Sequence, residues 1–292
     1  MIKVKLSQYI LDTYQSAFKS LMAGLFVFAN MFLANDVLGQ ITQVTGSPTS
    51  NTTTTATLTI NKPSGLAIND VMIVSIIQTD NDNNTLSNAT SSGWSLIDGR
   101  EIESNGDDEW WGTLLYKVAV AGDVAAANFS FTLDGDANGD NSEGAIIAFR
   151  GVNVTGGFTA TGAAGGPFDL DPGIINNIAS DAQLNASTIT TATANAGVIM
   201  FGFIANDLNL SNWQTTSPGA LTEIYDLPLN VSEDMGIGSA WAIKAATGAT
   251  GAGSATISGS APNGSLLIAL RACVPPAVTQ LEEELQLFVL VQ

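Results

Sequence analysis

Histidine is missing from this 292-residue chain, and cysteine occurs once, at Cys273. The first absence removes the commonest general base, the Ser-His-Asp and Cys-His arrangements, and zinc sites built on imidazole. The second rules out an intrachain disulfide, so stability has to come from a packed core or a bound metal. Cys273 stands beside a Val-Pro-Pro linker signal and reads as a small hydrophobic residue at a strand end. Basic residues are scarce too: nine Lys and Arg against 27 Asp and Glu give a net charge of −18. Such a balance repels nucleic acid and anionic lipid and attracts cations. Only 12% of residues are charged while 45% are hydrophobic, enough for a sizeable core. Helical periodicity is nearly absent between residues 41 and 272.

The first 39 residues differ from the rest. Lys3, Lys5 and Lys19 precede an apolar run from Leu21 to Leu33. That run is shorter than the ~20 residues of a bilayer span and suits the apolar region of a signal peptide. Val37 and Gly39 are small enough for signal peptidase, so the expected cut comes after Gly39 and leaves Gln40 first. Cleavage there removes three Lys and two Asp and leaves a net charge of −19. The expectation is an exported or cell-surface chain with no stable membrane span in its mature part.

From Gln40 onward the chain carries nearly the same pattern twice. In the first half, Asp70 opens the run VMIVSII, a Trp94 turn comes next, then WGTLLYKVA around Lys117, and EGAIIAFRG ends at Arg150. In the second, Gly197 opens VIMFGFI, Trp213 comes next, then SAWAIKAA around Lys244, and GSLLIALRA ends at Arg271. Short apolar runs in matched order, separated by Gly, Asn and Thr, predict strands rather than helices. The expected strands are 56–60, 71–77, 111–118, 128–133 and 145–149, then 187–193, 198–204, 239–245, 255–258 and 266–270. A Gly- and Pro-containing stretch, 156–181, is expected to cross between the halves as a loop. Neither half alone offers much core. The expected fold is therefore all-β: one antiparallel β-sandwich of jelly-roll or lectin-like type, spanning residues 40–272. Its halves cover about 40–155 and 180–272, and a linker and tail occupy 273–292.

Candidate chemistry lies in acidic loops. Asp134, Asp136, Asn138 and Asp140 alternate along a tight turn with Gly139 at the sixth position, as in the first part of an EF-hand loop. Hard oxygen ligands so placed suit calcium, with Glu143 as the closing carboxylate. Asp80, Asp82 and Asn84 form a second, weaker run of the same kind. Glu101, Glu103 and Glu109 precede Trp110 and Trp111; on a strand Glu101 and Glu103 share a face, and paired carboxylates beside aromatics serve glycoside hydrolysis. Alternation sends Trp110 and Trp111 to opposite faces. Trp110 is taken as the outward one, a platform for a sugar ring. Trp94 and Trp213 occupy matching places in the two halves, and Trp111 and Trp241 approximately so, which points to core packing. No catalytic residue is assigned, and calcium is the one cofactor expected.

The segments GLAINDVMIVSI, GWSLI, YKVA and AIIAFRGVN, with LTEIYD, ATGATGAGSATIS and LLIALRA later, resemble a sandwich domain of large exported Bacteroidota proteins and some phage-tail proteins. The resemblance spans Ile41–Ala272. It implies the N-terminal module of a surface adhesin, with a glycan or another cell-surface ligand as partner. Three readings stand: a non-enzymatic surface or adhesion module, a lectin-like domain, and a secreted glycoside hydrolase.

Overall fold

The computed structural model describes residues 40–81, 85–106, 108–134 and 140–273. The expected signal peptide, the tail after Cys273, and Asp82, Asn84, Asp136 and Asn138 lie outside the described residues. The first half supplies β1 (Thr42–Gln43), β2 (Thr49–Thr53), β3 (Thr57–Asn61), β4 (Val71–Asp80), β5 (Ser95–Asn105) and β6 (Asp108–Val118), a short helix α1 (Ala121–Ala125), then β7 (Asn128–Thr132) and β8 (Ser142–Arg150). A short hairpin, β9 (Gly157–Phe158) and β10 (Ala164–Gly166), leads into the second half. There β11 (Asn176–Ala186), β12 (Thr190–Thr191), β13 (Ala196–Ile204) and β14 (Leu210–Gln214) precede β15 (Thr222–Leu229), β16 (Met235–Lys244), β17 (Gly248–Ala249) and β18 (Gly253–Leu270).

The repeat in the sequence is a repeat in topology. The first half forms a six-stranded antiparallel sheet in the order β1-β8-β4-β6-β5, with β2 also pairing β8. The second forms another in the order β11-β18-β13-β16-β15, with β14 also pairing β18. Val71 on β4 faces Phe149 on β8, and Gly197 on β13 faces Leu270 on β18. Each pair lies one residue before the Arg that closes its half, Arg150 or Arg271. The fold is all-β and sandwich-like, built from two similar halves.

Alternation decides what lies between the sheets. Ile73 and Ile77 of β4, Leu114 and Tyr116 of β6, and Ile147 and Phe149 of β8 point to one side. They meet Ile199, Phe201 and Phe203 of β13, Ile237 of β16, and Leu266, Ile268 and Leu270 of β18 in a single apolar layer. Phe149 meets Trp241 edge-on at 5.1 Å across this seam. Full burial of each such side chain contributes about 1.5–3 kcal/mol. Close approach needs Gly112 on β6, because a Cβ there would sit 2.9 Å from Cγ of Phe203.

The other face of each sheet is covered as well. Met72, Val74 and Ile76 lie under the β3–β7 ribbon, with Leu58, Ile60, Phe129 and Phe131, and Trp94 packs edge-on against both Phe rings. On the second sheet, Val198, Met200 and Leu267 lie under Leu184, Leu210, Trp213 and Ile257. With both faces covered, β4 and β13 are buried at every residue, which is why they read as unbroken apolar runs. Three expectations need correction. The crossing stretch 156–181 is not a plain loop: it holds β9, β10 and the start of β11. The strand expected at 187–193 shrinks to β12, while 255–258 and 266–270 are two parts of the single strand β18. Trp111 and Trp241 do not match, since Trp241 faces the seam and Trp111 the opposite side of its sheet.

Candidate functional site

The charged end of the first sheet is set by strand parity. On β4 the even positions face outward, away from the seam, so Gln78 and Asp80 join Met72, Val74 and Ile76 on the outer face. On β6, Glu109 lies opposite Asp80 and shares that face with Trp111. The loop after β7 returns there: the Asp134 N–H donates to Oε1 of Gln78 at 3.2 Å. The segment after β4 closes the other side, where the amide of Gln78 donates to the Ser87 carbonyl and the Trp111 indole donates to Oδ1 of Asn88 at 2.8 Å.

Glu109 is the centre of this rim. It is 6% exposed, and its Oε2 accepts the Leu86 N–H at 3.0 Å. Its Oε1 has no hydrogen-bond partner among the described residues. Burial raises its pKa above the ordinary carboxylate range against the pull of the Leu86 N–H, and the charges of Glu101, Asp80 and Asp134 add to the rise. The structure thus gathers the Asp80 and Asp134 loops at one rim and adds Glu101 and Glu109, which the sequence pattern does not assign to the metal site. Like charges directly opposite on paired strands, as Asp80 and Glu109 are, are destabilising. Among the described residues, no three acidic side chains are grouped closely enough to hold a metal ion by themselves.

Glu143 does not join this rim. It lies on β8 at the parity of Ala145, Ile147 and Phe149, so its side chain enters the seam, and the sheet stands between it and Asp134. Asp140 is buried two residues ahead of β8. The pairing of Glu101 with Glu103 also dissolves. A bulge between them sets Glu101 opposite Trp111 and Glu103 opposite Trp110, on opposite faces of the sheet. Burial and the nearby Asp108 charge raise the pKa of Glu103.

Trp110 is not an outward platform. It is 8% exposed, belongs to the seam, and donates its indole N–H to the Asp234 carbonyl at 3.0 Å. Trp111 is the half-buried member of the pair. Cys273 is a free, half-buried thiol. No helix among the described residues is long and apolar enough to cross a membrane. No known protein family, curated protein or solved structure matches the chain.

Proposed function

We propose that the chain is a non-enzymatic, exported β-sandwich that serves as a surface or adhesion module, with calcium drawn to the acidic rim around Glu109. The observation that carries this reading is the way the halves are joined. The central strands β4 and β13 are buried on both faces, and the two sheets share one apolar layer from Ile73 to Leu270. Polar ties across that layer, Ser75 to Tyr225 at 2.6 Å and Trp110 to Asp234 at 3.0 Å, add to it. This construction suits a rigid spacer or display body. The acidic balance and the Thr- and Asn-rich outer strands suit exposure to solvent. Trp110, which the lectin-like reading used together with the acidic loops, is buried in the seam.

The test is accessibility. The full chain, carrying an epitope tag in the exposed turn between β2 and β3, is produced in an exporting bacterial host, and protease is added to intact cells. Loss of the tag before lysis is expected; a tag that survives until the cells are broken overturns the surface assignment.

A further inference from the structure

The layer between the sheets is apolar except at one end. There Ser75 of β4 and Glu143 of β8 enter from the first sheet, and Tyr225 of β15 and Ser239 of β16 from the second. All are buried, and Ser75 and Tyr225 share a hydrogen bond of 2.6 Å. Glu143 is 6% exposed, and its Oε2 has no hydrogen-bond partner among the described residues. Two residues before it, Nδ2 of Asn141 donates to Oε2 of Glu233 at 3.2 Å and to the Ser232 hydroxyl at 3.3 Å. These contacts and the Trp110–Asp234 bond seat the turn 230–234, between β15 and β16, on the end of the first sheet.

The titratable group facing Glu143 in the seam is Tyr225 of β15, with Glu233 beyond Asn141. Asp226, next along β15, turns to the outer side of its sheet, where its Oδ2 accepts the Leu210 N–H at 3.0 Å, and its charge acts on Glu143 through the sheet. Its register neighbours on β4 and β2 are Ile77 and Thr52, which carry no charge. The two ion pairs among the described residues, Lys117–Asp123 and Arg150–Asp70, lie within the first half and away from this end. Among the described residues, a carboxylate formed here has no ion-pair partner, and it feels the like charge of Asp226 through the sheet.

We infer that the seam is a proton-operated joint. With Glu143 neutral, the turn 230–234 stays shut on Asn141 and Trp110; with Glu143 ionised, the two sheets loosen at this end first. Burial, and then the Asp226 charge, push the pKa of Glu143 up to about 8. The unfolded chain releases that proton near its ordinary value of ~4.3. Between those values the folded state holds a proton that the unfolded state has lost, so stability falls as pH rises. It is fully present in acid and fully lost once pH passes the folded value.

The test compares the full chain with Glu143→Gln in urea, between pH 5 and 9, with chelator present so that no metal contributes. Glu143→Gln keeps the shape and removes the charge. For this one group, the folding equilibrium constant of the wild type should drop about tenfold per pH unit relative to the variant up to pH ~8. Hydrogen exchange at the Trp110 indole and at amides 235–239 should quicken over the same window in the wild type alone. Equal slopes in the two proteins overturn the inference. Should the variant fail to fold, carbon NMR of the Glu143 carboxyl in the wild type decides: a midpoint above pH 7 supports it, and one near 4.5 overturns it.

Discussion

Gly112 and Phe203 meet across the seam, and their contact measures whether the halves form one cooperative body. An alanine Cβ at position 112 would lie 2.9 and 3.0 Å from Cγ and Cδ1 of Phe203, and 3.3 Å from Cδ1 of Ile102. Ordinary carbon contacts are ~3.5–4.0 Å, so one sheet must shift or the Phe ring must leave its rotamer. Overpacking of this kind costs about 1–3 kcal/mol. The entropy lost by the unfolded chain on Gly→Ala returns ~0.4–1 kcal/mol, leaving a net loss of about 1–2 kcal/mol. For a domain of this size that lowers Tm by roughly 2–8 °C. Phe203→Ala alone should cost about 3–5 kcal/mol through the cavity it leaves. In the double variant the added methyl enters that cavity, so Gly112→Ala should then be neutral or favourable, with a coupling of ~1–3 kcal/mol. Urea unfolding of the four proteins gives the cycle. Additive losses, or a Gly112→Ala protein as stable as the wild type, would refute face-to-face packing at this point.

Two further outcomes are expected. Tyr225→Phe removes the bridge to Ser75 and should cost about 1 kcal/mol in chemical denaturation, since one modest hydrogen bond is lost and the Ser75 hydroxyl is left buried. Saturating calcium should raise Tm relative to chelator, because a ligand that binds only the folded state stabilises it. Glu109→Gln should shrink that rise, and a midpoint indifferent to calcium removes the metal from the proposal.

The strands legible in the sequence were those covered on both faces. β4, β8, β13 and the end of β18 carry long apolar runs that are buried along their length. The duplicated order was legible for the same reason, as was the matched packing of Trp94 and Trp213. Edge strands were harder. Asn176–Ala186 carries Asn, Ser, Asp and Gln with few apolar residues, so β11 has the composition of a loop although it pairs along β18. β5 reads as an acidic loop because bulges near Ile97 and Ile102 break its alternation. Alternation correctly separated Trp110 from Trp111 but was silent on which face was the seam, since apolar cover lies on both sides. Glu143 sits in the Asn-Ser-Glu-Gly sequence of an ordinary turn. Its destination depends on Tyr225 and the rest of the facing sheet, which no local pattern connects to it.

The single layer shared by both halves also bears on how the chain is made. Ile73, Ile147 and Phe149 are synthesised long before Phe203 and Leu270, the residues that shield them. A nascent first half therefore presents a broad greasy surface with nothing yet to cover it, and such surfaces invite aggregation. Production of this protein should depend on a holding chaperone until β13 has been made, and truncation before β13 should yield inclusion bodies rather than a smaller soluble domain.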